Sequence, residues 1–305
     1  MIKKIHYTLM LGMIGVFALI LVNTTSSPVR ESFTYFPPDP DVMFESASTS
    51  LSILTQEDED EYKLNWKSES TLSEVAYLRQ DIALLYEEGR LIDTMSTWKE
   101  NTRTIHQKKK IISEDSGHYE TISYHYGEIH YPNDVIKSAQ AMSYDQLYVI
   151  DSPMTPLESF KKASNDEEKE WEKILDHALI QQSQLVFKSM MNKYKLHPED
   201  YYIIPLTSLY HYQNKPLPGL SMKQTTDTIG GIWEGLYKNY FLGISYSDGQ
   251  TELPIGSTVP IILLHKESPY LLVLFQSKSG RNTELIQYLN KPLLEQSNTT
   301  ENNNE

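Results

Sequence analysis

The sequence contains no cysteine. This absence excludes disulfide bonds, cysteine nucleophiles, thiolate zinc sites and the attachment of a lipid to cysteine. Any chemistry would have to come from His, Asp, Glu, Ser, Lys or Tyr. An exported protein without cysteine also suits an envelope that does not rely on disulfides, such as that of Gram-positive bacteria.

Basic residues are scarce relative to acidic ones. The 305 residues include 27 Lys and Arg against 41 Asp and Glu, which gives a formal net charge of −14. Nucleic acids are bound mainly through clusters of Lys and Arg, so this balance argues against nucleic-acid binding. The sequence also lacks His-Glu-x-x-His, Gly-x-Ser-x-Gly, Walker and Rossmann signatures, which removes the enzyme classes that they mark.

Only one long apolar run is present, and it follows Lys3 and Lys4. It covers residues 5–22, beginning at Ile5 and ending at Val22. As a helix this run covers about 27 Å, close to the ~30 Å hydrocarbon core of a bilayer. We therefore predict a short cytoplasmic end and a single-pass signal anchor in residues 1–22, with the rest of the chain extracytoplasmic. Secretion after cleavage of a signal peptide is the alternative.

Composition divides the remainder of the chain into three parts. Residues 23–67 are rich in Ser, Thr and Pro and carry an acidic run at 57–61, which is typical of a disordered linker. Residues 68–294 are predicted to form an α+β domain of helices and antiparallel hairpins, or two subdomains that meet between Asp151 and Ser164. Residues 295–305 are polar and are predicted to be a disordered tail.

The spacing of apolar residues predicts the elements of this domain. Helices are expected at 70–89, 134–142, Asp166–Tyr194, 226–240 and 282–288. Strands are expected at 102–112 and 118–131 as a hairpin, at 146–150, Tyr201–Pro205 and 208–212, and at 259–264 and Tyr270–Gln276 as a second hairpin. The second hairpin is apolar on both faces, which favours a central position in its sheet.

Three short motifs suggest an acyl-transfer enzyme. Ser159 and Lys162 form Ser-x-x-Lys, Tyr237 and Asn239 form Tyr-x-Asn, and Lys278 begins Lys-Ser-Gly. Together they resemble elements of penicillin-binding proteins and serine β-lactamases. The resemblance implies Ser159 as nucleophile, Lys162 as its activating base and Lys278 as the contact for a substrate carboxylate. In those enzymes a buried helix begins at the serine. Here Lys161, Lys162 and Asp166 lie close after Ser159, which favours a solvent-exposed segment. We therefore predict no catalytic residues.

A metal site is weighed at His125, Glu128 and His130. On a strand, Glu128 and His130 share one face while His125 lies on the other. Two ligands on one face are too few for zinc, which takes three or four from a protein. We therefore predict neither a metal nor a cofactor.

Tyrosine is the most suggestive feature of the composition, with 21 residues. Tyr119, Tyr124, Tyr126 and Tyr131 recur along one predicted strand and are our candidate contacts for a partner protein or a glycan. A second cluster surrounds His211 and consists of Tyr201, Tyr202, Tyr210 and Tyr212.

The layout of one span followed by an α+β body resembles that of membrane-anchored accessory proteins of Gram-positive sensor kinases. We predict a non-enzymatic envelope protein that is anchored in the membrane and interacts with another protein. The alternatives are a cell-wall glycan-binding module that uses exposed tyrosines and a Ser-Lys acyl-transfer enzyme.

Overall fold

A computed structural model describes residues 34–54, 61–152 and 155–289. The predicted membrane span at residues 5–22 and the predicted tail at 295–305 lie outside these ranges. Within them, no helix has the length and apolar character needed to cross a membrane.

The first part of the chain forms an antiparallel N-terminal sheet. Its strands are β1 (Phe44–Leu54), β2 (Tyr62–Glu87), β3 (Arg90–Ser113), β4 (Gly117–Tyr131), β5 (Val135–Ser152) and β6 (Thr155–Phe160). One edge of β2 pairs with β3, and its other edge pairs first with β1 and then with β4. β5 and β6 extend the sheet from β4.

This sheet folds back on itself. Lys109 Nζ lies 2.6 Å from Asp93 Oδ1, although both residues belong to β3. Sixteen residues of straight strand would cover about 50 Å, so β3 must bend. The bend coincides with a register shift between Thr71 and Ala76 in β2 and with the left-handed Asn101 in β3, whose φ is 49°. Its two halves therefore face each other.

The main core lies between these two halves. Its buried members are Leu51, Tyr62, Leu64, Trp66, Ala83, Leu85, Met95, Tyr119, Leu147 and Val149. Trp66 links the halves directly, because its Nε1 donates to Thr121 Oγ1 at 2.8 Å. Residues from β1 and from the beginning of β2 thus form part of the core.

The second part of the chain contains the helices and a C-terminal sheet. The helices are α1 (Asp166–Tyr194) and α2 (Met222–Leu236), with 3₁₀ turns at Pro198–Asp200 and Leu206–Tyr212 and a π turn at Tyr237–Phe241. The strands are β7 (Tyr201–Pro205), β8 (Ile244–Ser245), β9 (Thr251–Glu252), β10 (Ile261–His265), β11 (Tyr270–Gln276) and β12 (Asn282–Tyr288). The sheet has the order β12-β11-β10-β7, and β8 and β9 form a separate ribbon.

Both helices are capped by their own sequence. Asn165 accepts from Glu168 N–H at 2.8 Å at the start of α1, and the left-handed Lys195 ends it. Ser221 and Gln224 form a capping box at the start of α2. α1 packs on one face of the C-terminal sheet, and α2 lies between this sheet and β4.

Backbone contacts join the two sheets. Leu91 N–H donates to Ser257 O at 2.8 Å, and Val259 N–H donates to Gly89 O at 3.0 Å. The turn between β2 and β3 is therefore fixed against the irregular segment that leads into β10. This junction forms one wall of a cleft beneath α1.

The predicted α+β class with antiparallel sheets is confirmed. The α1 helix has the predicted bounds, and the hairpin of β10 and β11 is central in its sheet as expected. The helix expected at 226–240 occurs as α2 and the π turn that follows it.

Three predicted helices are wrong. Residues 70–87 belong to β2 and 88–89 to the turn after it, residues 135–142 belong to β5, and residues 282–288 form β12. In β2, residues 82–86 are all buried, because this half of the sheet is covered on both faces. A strand buried on both faces loses its alternation of polar and apolar residues. Its apolar residues then recur every three or four positions, which is the spacing expected of a helix.

Two other local predictions are also corrected. Residues 208–212 form part of a 3₁₀ turn rather than a strand. The strands expected at 102–112 and 118–131 exist as parts of β3 and β4, but each pairs with β2 and not with the other. The polar turn between them carries the chain from one half of the folded sheet to the other.

The disordered linker predicted for residues 23–67 is wrong over its described part. β1 and the start of β2 lie within it, and Leu51 and Trp66 are buried. Within the described residues, the Tyr35 hydroxyl already donates to Asp227 Oδ1 at 3.1 Å. The Ser- and Thr-rich stretch forms β1. Its small polar residues mostly face solvent, while Leu51 points into the core.

Candidate functional site

Three of the four candidate tyrosines lie inside the protein. Tyr119, Tyr124 and Tyr126 have no exposed surface, whereas Tyr131 is 39% exposed. Tyr124 donates to Gln140 Oε1 at 2.6 Å and stacks on Trp233 with ring centroids 5.0 Å apart. The predicted contact surface is therefore wrong for these three residues, because β4 is a central strand covered on both faces.

Tyr131 lies at one end of the N-terminal sheet, where several other side chains are also exposed. We call this set the Tyr131 surface; it consists of Met43, Val75, Tyr77, His130, Tyr131 and Val135. Met43 is 63% exposed, Val75 57% and Tyr77 48%. The rings of Tyr77 and His130 stack at 3.9 Å, and Tyr131 pairs with Val135 across the turn between β4 and β5.

Two local irregularities create this surface. Asn133 and Asp134 are left-handed, with φ values of 65° and 57°, and Asn and Asp tolerate this conformation better than other non-glycine residues. The register shift between Thr71 and Ala76 brings Val75 to the same end of the sheet, where Ser73 N–H donates to Met43 O at 2.8 Å. Bulges of this kind redirect side chains away from the ladder.

The rim of the Tyr131 surface is acidic. Tyr131 Oη donates to Asp39 Oδ2 at 2.6 Å, and this bond raises the pKa of Tyr131, with further contributions from Asp41 and Glu74. Burial opposes ionisation of Asp39, but hydrogen bonds from Tyr131 and the Asp41 N–H lower its pKa overall. Lys137 is the basic group beside them, 3.8 Å from Asp39. An apolar centre with a mainly negative rim is complementary to a partner surface with a positive rim.

A second candidate is a cleft beneath the middle of α1, which we call the α1 cleft. Its cavity of about 320 Å³ lies between α1, the turn from β2 to β3 and the C-terminal sheet, and includes Glu88, Arg90 and Glu120. It adjoins a more polar cavity of about 380 Å³, where Tyr144 and Tyr210 stack at 4.6 Å. Of the second tyrosine cluster, Tyr210 thus lines a cavity.

A buried polar network inside the folded sheet has the connectivity of a Ser-His-Asp triad. His125 Nδ1 lies 2.7 Å from Asp81 Oδ2, and His125 Nε2 lies 2.8 Å from Ser143 Oγ. Such connectivity activates a serine when substrate can reach it. Sequence inspection missed this set because β2, β4 and β5 supply one residue each, and only the register of the sheet brings them together.

The surroundings of this network indicate a structural role. Asp81 and His125 have no exposed surface, and Asp81 also accepts from Ser70 Oγ at 2.6 Å and Arg79 Nη2 at 3.3 Å. The Phe44 ring lies beside His125 and beneath the Arg79 guanidinium. The network therefore neutralises buried charge where the sheet bends.

The predicted metal candidates separate as expected. His130 Nε2 contacts Glu128 Oε1, while His125 belongs to the buried network. Over residues 34–54, 61–152 and 155–289, no three His, Asp or Glu side chains are grouped so that they could hold a metal ion.

The acyl-transfer motif does not have the environment that its chemistry needs. Ser159 is exposed on β6 instead of beginning a buried helix, and Lys162 is also exposed. A lysine acts as a base at neutral pH when burial lowers its pKa. Tyr237 is buried within the π turn.

Serine-directed reagents provide a direct check. We expect neither a fluorescent penicillin nor a fluorophosphonate to label the purified chain, because Ser143 is enclosed and Ser159 lacks a buried base. Gel fluorescence would measure the labelling. A signal lost in Ser159→Ala would support acyl transfer, and one lost in Ser143→Ala would assign catalysis to the buried network.

The chain matches no protein-family model, no curated protein and no solved structure. The assignment of function therefore rests on the residues and their geometry.

Proposed function

We propose that this chain is a single-pass membrane protein whose α+β domain lies outside the cell and binds another envelope protein through the Tyr131 surface. The anchor in this proposal is the apolar run at residues 5–22 with Lys3 and Lys4 on its cytoplasmic side. The observation that carries the proposal is the exposure of Met43, Val75, Tyr77 and Tyr131 at one end of the same sheet.

The composition of this surface is that of an interface centre. Tyr, Met and other large side chains are enriched in the buried centres of protein interfaces, whereas Lys, Glu and Asp are depleted there. Tyr77 is already held by stacking on His130, and Tyr131 by its bond to Asp39. Binding through side chains that are already ordered loses little conformational entropy.

The acidic rim indicates the chemistry of the partner. Asp41 and Glu74 are exposed beside the apolar centre, so the partner in this proposal presents Lys or Arg around an apolar patch. Rim charges act mainly on the rate of association and are screened by salt. Capture of the partner should therefore weaken as ionic strength rises.

The paired substitution Tyr77→Ala and Tyr131→Ala should remove most of the binding. Truncation of central interface tyrosines costs more than about 1.4 kcal/mol, which is tenfold in affinity. The measurement is quantitative mass spectrometry of proteins crosslinked to the full chain in native membranes. We expect recovery of the main crosslinked protein to fall about tenfold or more.

Tyr202→Ala is the matched control for this experiment. Tyr202 is an exposed strand tyrosine on β7, in the other sheet, so its loss should leave recovery unchanged. Equal recovery from the paired variant and the wild-type chain, with both chains folded, would contradict the proposal.

A further inference from the structure

The α1 cleft is held open by α1, which is fixed at both of its ends. Near its start, Leu175 packs with Tyr148 of the N-terminal sheet. Near its end, Met190 packs with Leu272 of the C-terminal sheet. The middle of the helix crosses the junction of the two sheets and covers the cavity of about 320 Å³. This volume lies at the lower end of the range for small-molecule sites, which favour such junctions.

Gly89 fixes the floor of the cleft against α1. Its φ is 74°, and a Cβ placed there would lie 2.7 Å from Leu179 Cδ1. The left-handed backbone favours glycine here, and any larger residue would also have to displace the end of the Leu179 side chain. The neighbouring Glu88 and Arg90 are thereby held on the wall of the cavity.

Arg90 is a partly buried cation with neutral partners. Its Nη1 donates to Gly256 O at 3.3 Å, and the Gln182 amide oxygen, in the orientation that its contacts require, accepts from Nε and Nη2 at 3.2 Å. In the described part of the chain, the salt bridges of arginine involve Arg79, Arg103 and Arg281 and not Arg90. Burial lowers the pKa of Arg90.

Two carboxylates face the same cavity. Glu120 accepts from Tyr144 Oη at 2.9 Å, and no salt bridge to a cation is formed by Glu120 or Glu88 among the residues described. Burial, followed by the charges of Glu87 and Asp115, raises the pKa of Glu88. The cavity therefore contains charges of both signs that are not paired with each other.

We propose that the α1 cleft binds a small zwitterion of the amino-acid type, either a free amino acid or a dipeptide with apolar side chains. Its carboxylate contacts Arg90, where a guanidinium can donate two parallel hydrogen bonds. Its ammonium group contacts Glu120. Its side chain packs against the apolar wall formed by Val186, Met190 and Ile261. A ligand with both charges compensates groups that would otherwise stay partly buried and unpaired.

Equilibrium dialysis of the purified full chain tests this proposal with defined probes. Radiolabelled L-leucine and L-leucyl-L-leucine are the zwitterions; isoamylamine lacks the carboxylate and 4-methylpentanoate lacks the ammonium group. We expect saturable binding of at least one zwitterion, and affinity at least about tenfold lower for both monopolar analogues. Absence of saturable binding by either zwitterion at millimolar concentration would overturn the proposal, as would equal binding of the analogues.

Variants locate the site. Arg90→Gln and Glu120→Gln should each weaken binding of the zwitterion about tenfold or more, and Arg281→Gln should leave it unchanged. Arg281 is the matched control, because its guanidinium contacts Asp248 outside the cleft. Circular dichroism checks that each variant is folded. If Arg90→Gln does not fold, the test uses Glu120→Gln alone. Unchanged binding in folded variants would contradict the assignment. Loss of this binding would not affect the proposed role of the Tyr131 surface.

Discussion

A chain shortened to residues 68–289 should fail to fold, whereas residues 34–289 should unfold in one cooperative transition. The shorter chain lacks β1 and the first residues of β2. It therefore loses Tyr62, Leu64 and Trp66, all of which are fully buried in the main core. Truncating one such side chain costs about 2–5 kcal/mol, and the stability of a whole domain is about 5–15 kcal/mol.

Urea unfolding followed by near-ultraviolet circular dichroism would distinguish the two chains. We expect a sigmoidal transition for residues 34–289 and no near-ultraviolet signal for residues 68–289. A cooperative transition of the shorter chain would mean that residues 23–67 are a linker that folding does not need. It would contradict the fold described above.

The substitution Asp81→Asn should destabilise the domain by about 3–5 kcal/mol, the cost of leaving one member of a buried ion pair without its partner. Asp81 is contacted by Arg79, Ser70 and His125, and none of these three side chains is exposed. In a domain of this size the melting temperature should fall by about 10 °C, given about 2–4 °C per kcal/mol.

Glu45→Gln is the matched control for Asp81→Asn. Glu45 also contacts an arginine, since Arg103 Nη2 lies 2.9 Å from its Oε1, but the two side chains are 52% and 43% exposed. Exposed pairs of this kind contribute less than about 1 kcal/mol. Thermal denaturation of both variants should therefore show a large shift for Asp81→Asn alone. Similar shifts would mean that the buried network does not hold the bend of the sheet.

The sequence was informative where an element has one covered face or clear end signals. The bounds of α1 follow from its Asn165 cap, its acidic first turn and the His197-Pro198 step. The central position of β10 and β11 follows from their continuous apolar residues, because only a strand covered on both faces tolerates them. Local chemistry decides such features, and local sequence therefore predicts them.

The sequence was misleading where tertiary packing overrides the local pattern. β2 imitates a helix because two different layers cover it, and the tyrosines of β4 are buried for the same reason. Tyr131 is exposed because it lies beside the turn at the end of β4.

The candidate sites are formed where tertiary packing brings distant segments of the chain together, and local sequence patterns do not reveal them. Tyr77 stacks on His130 because β2 pairs with β4, a pairing that no local spacing rule reveals. Arg90 and Glu120 come from different strands and meet only when α1 closes over the junction of the sheets. Composition alone could suggest a role for tyrosine but could not select the exposed residues.

Site-specific photocrosslinking on intact cells tests the central claim most directly. A photoreactive phenylalanine analogue in place of Tyr77 lies on the Tyr131 surface, and the same analogue in place of Tyr202 lies on the other sheet. We predict a discrete adduct with one envelope protein from position 77, sensitive to protease added outside the cells, and no such adduct from position 202. Adducts of equal yield from both positions, or none from position 77, would contradict the assignment of the Tyr131 surface as the partner-binding surface.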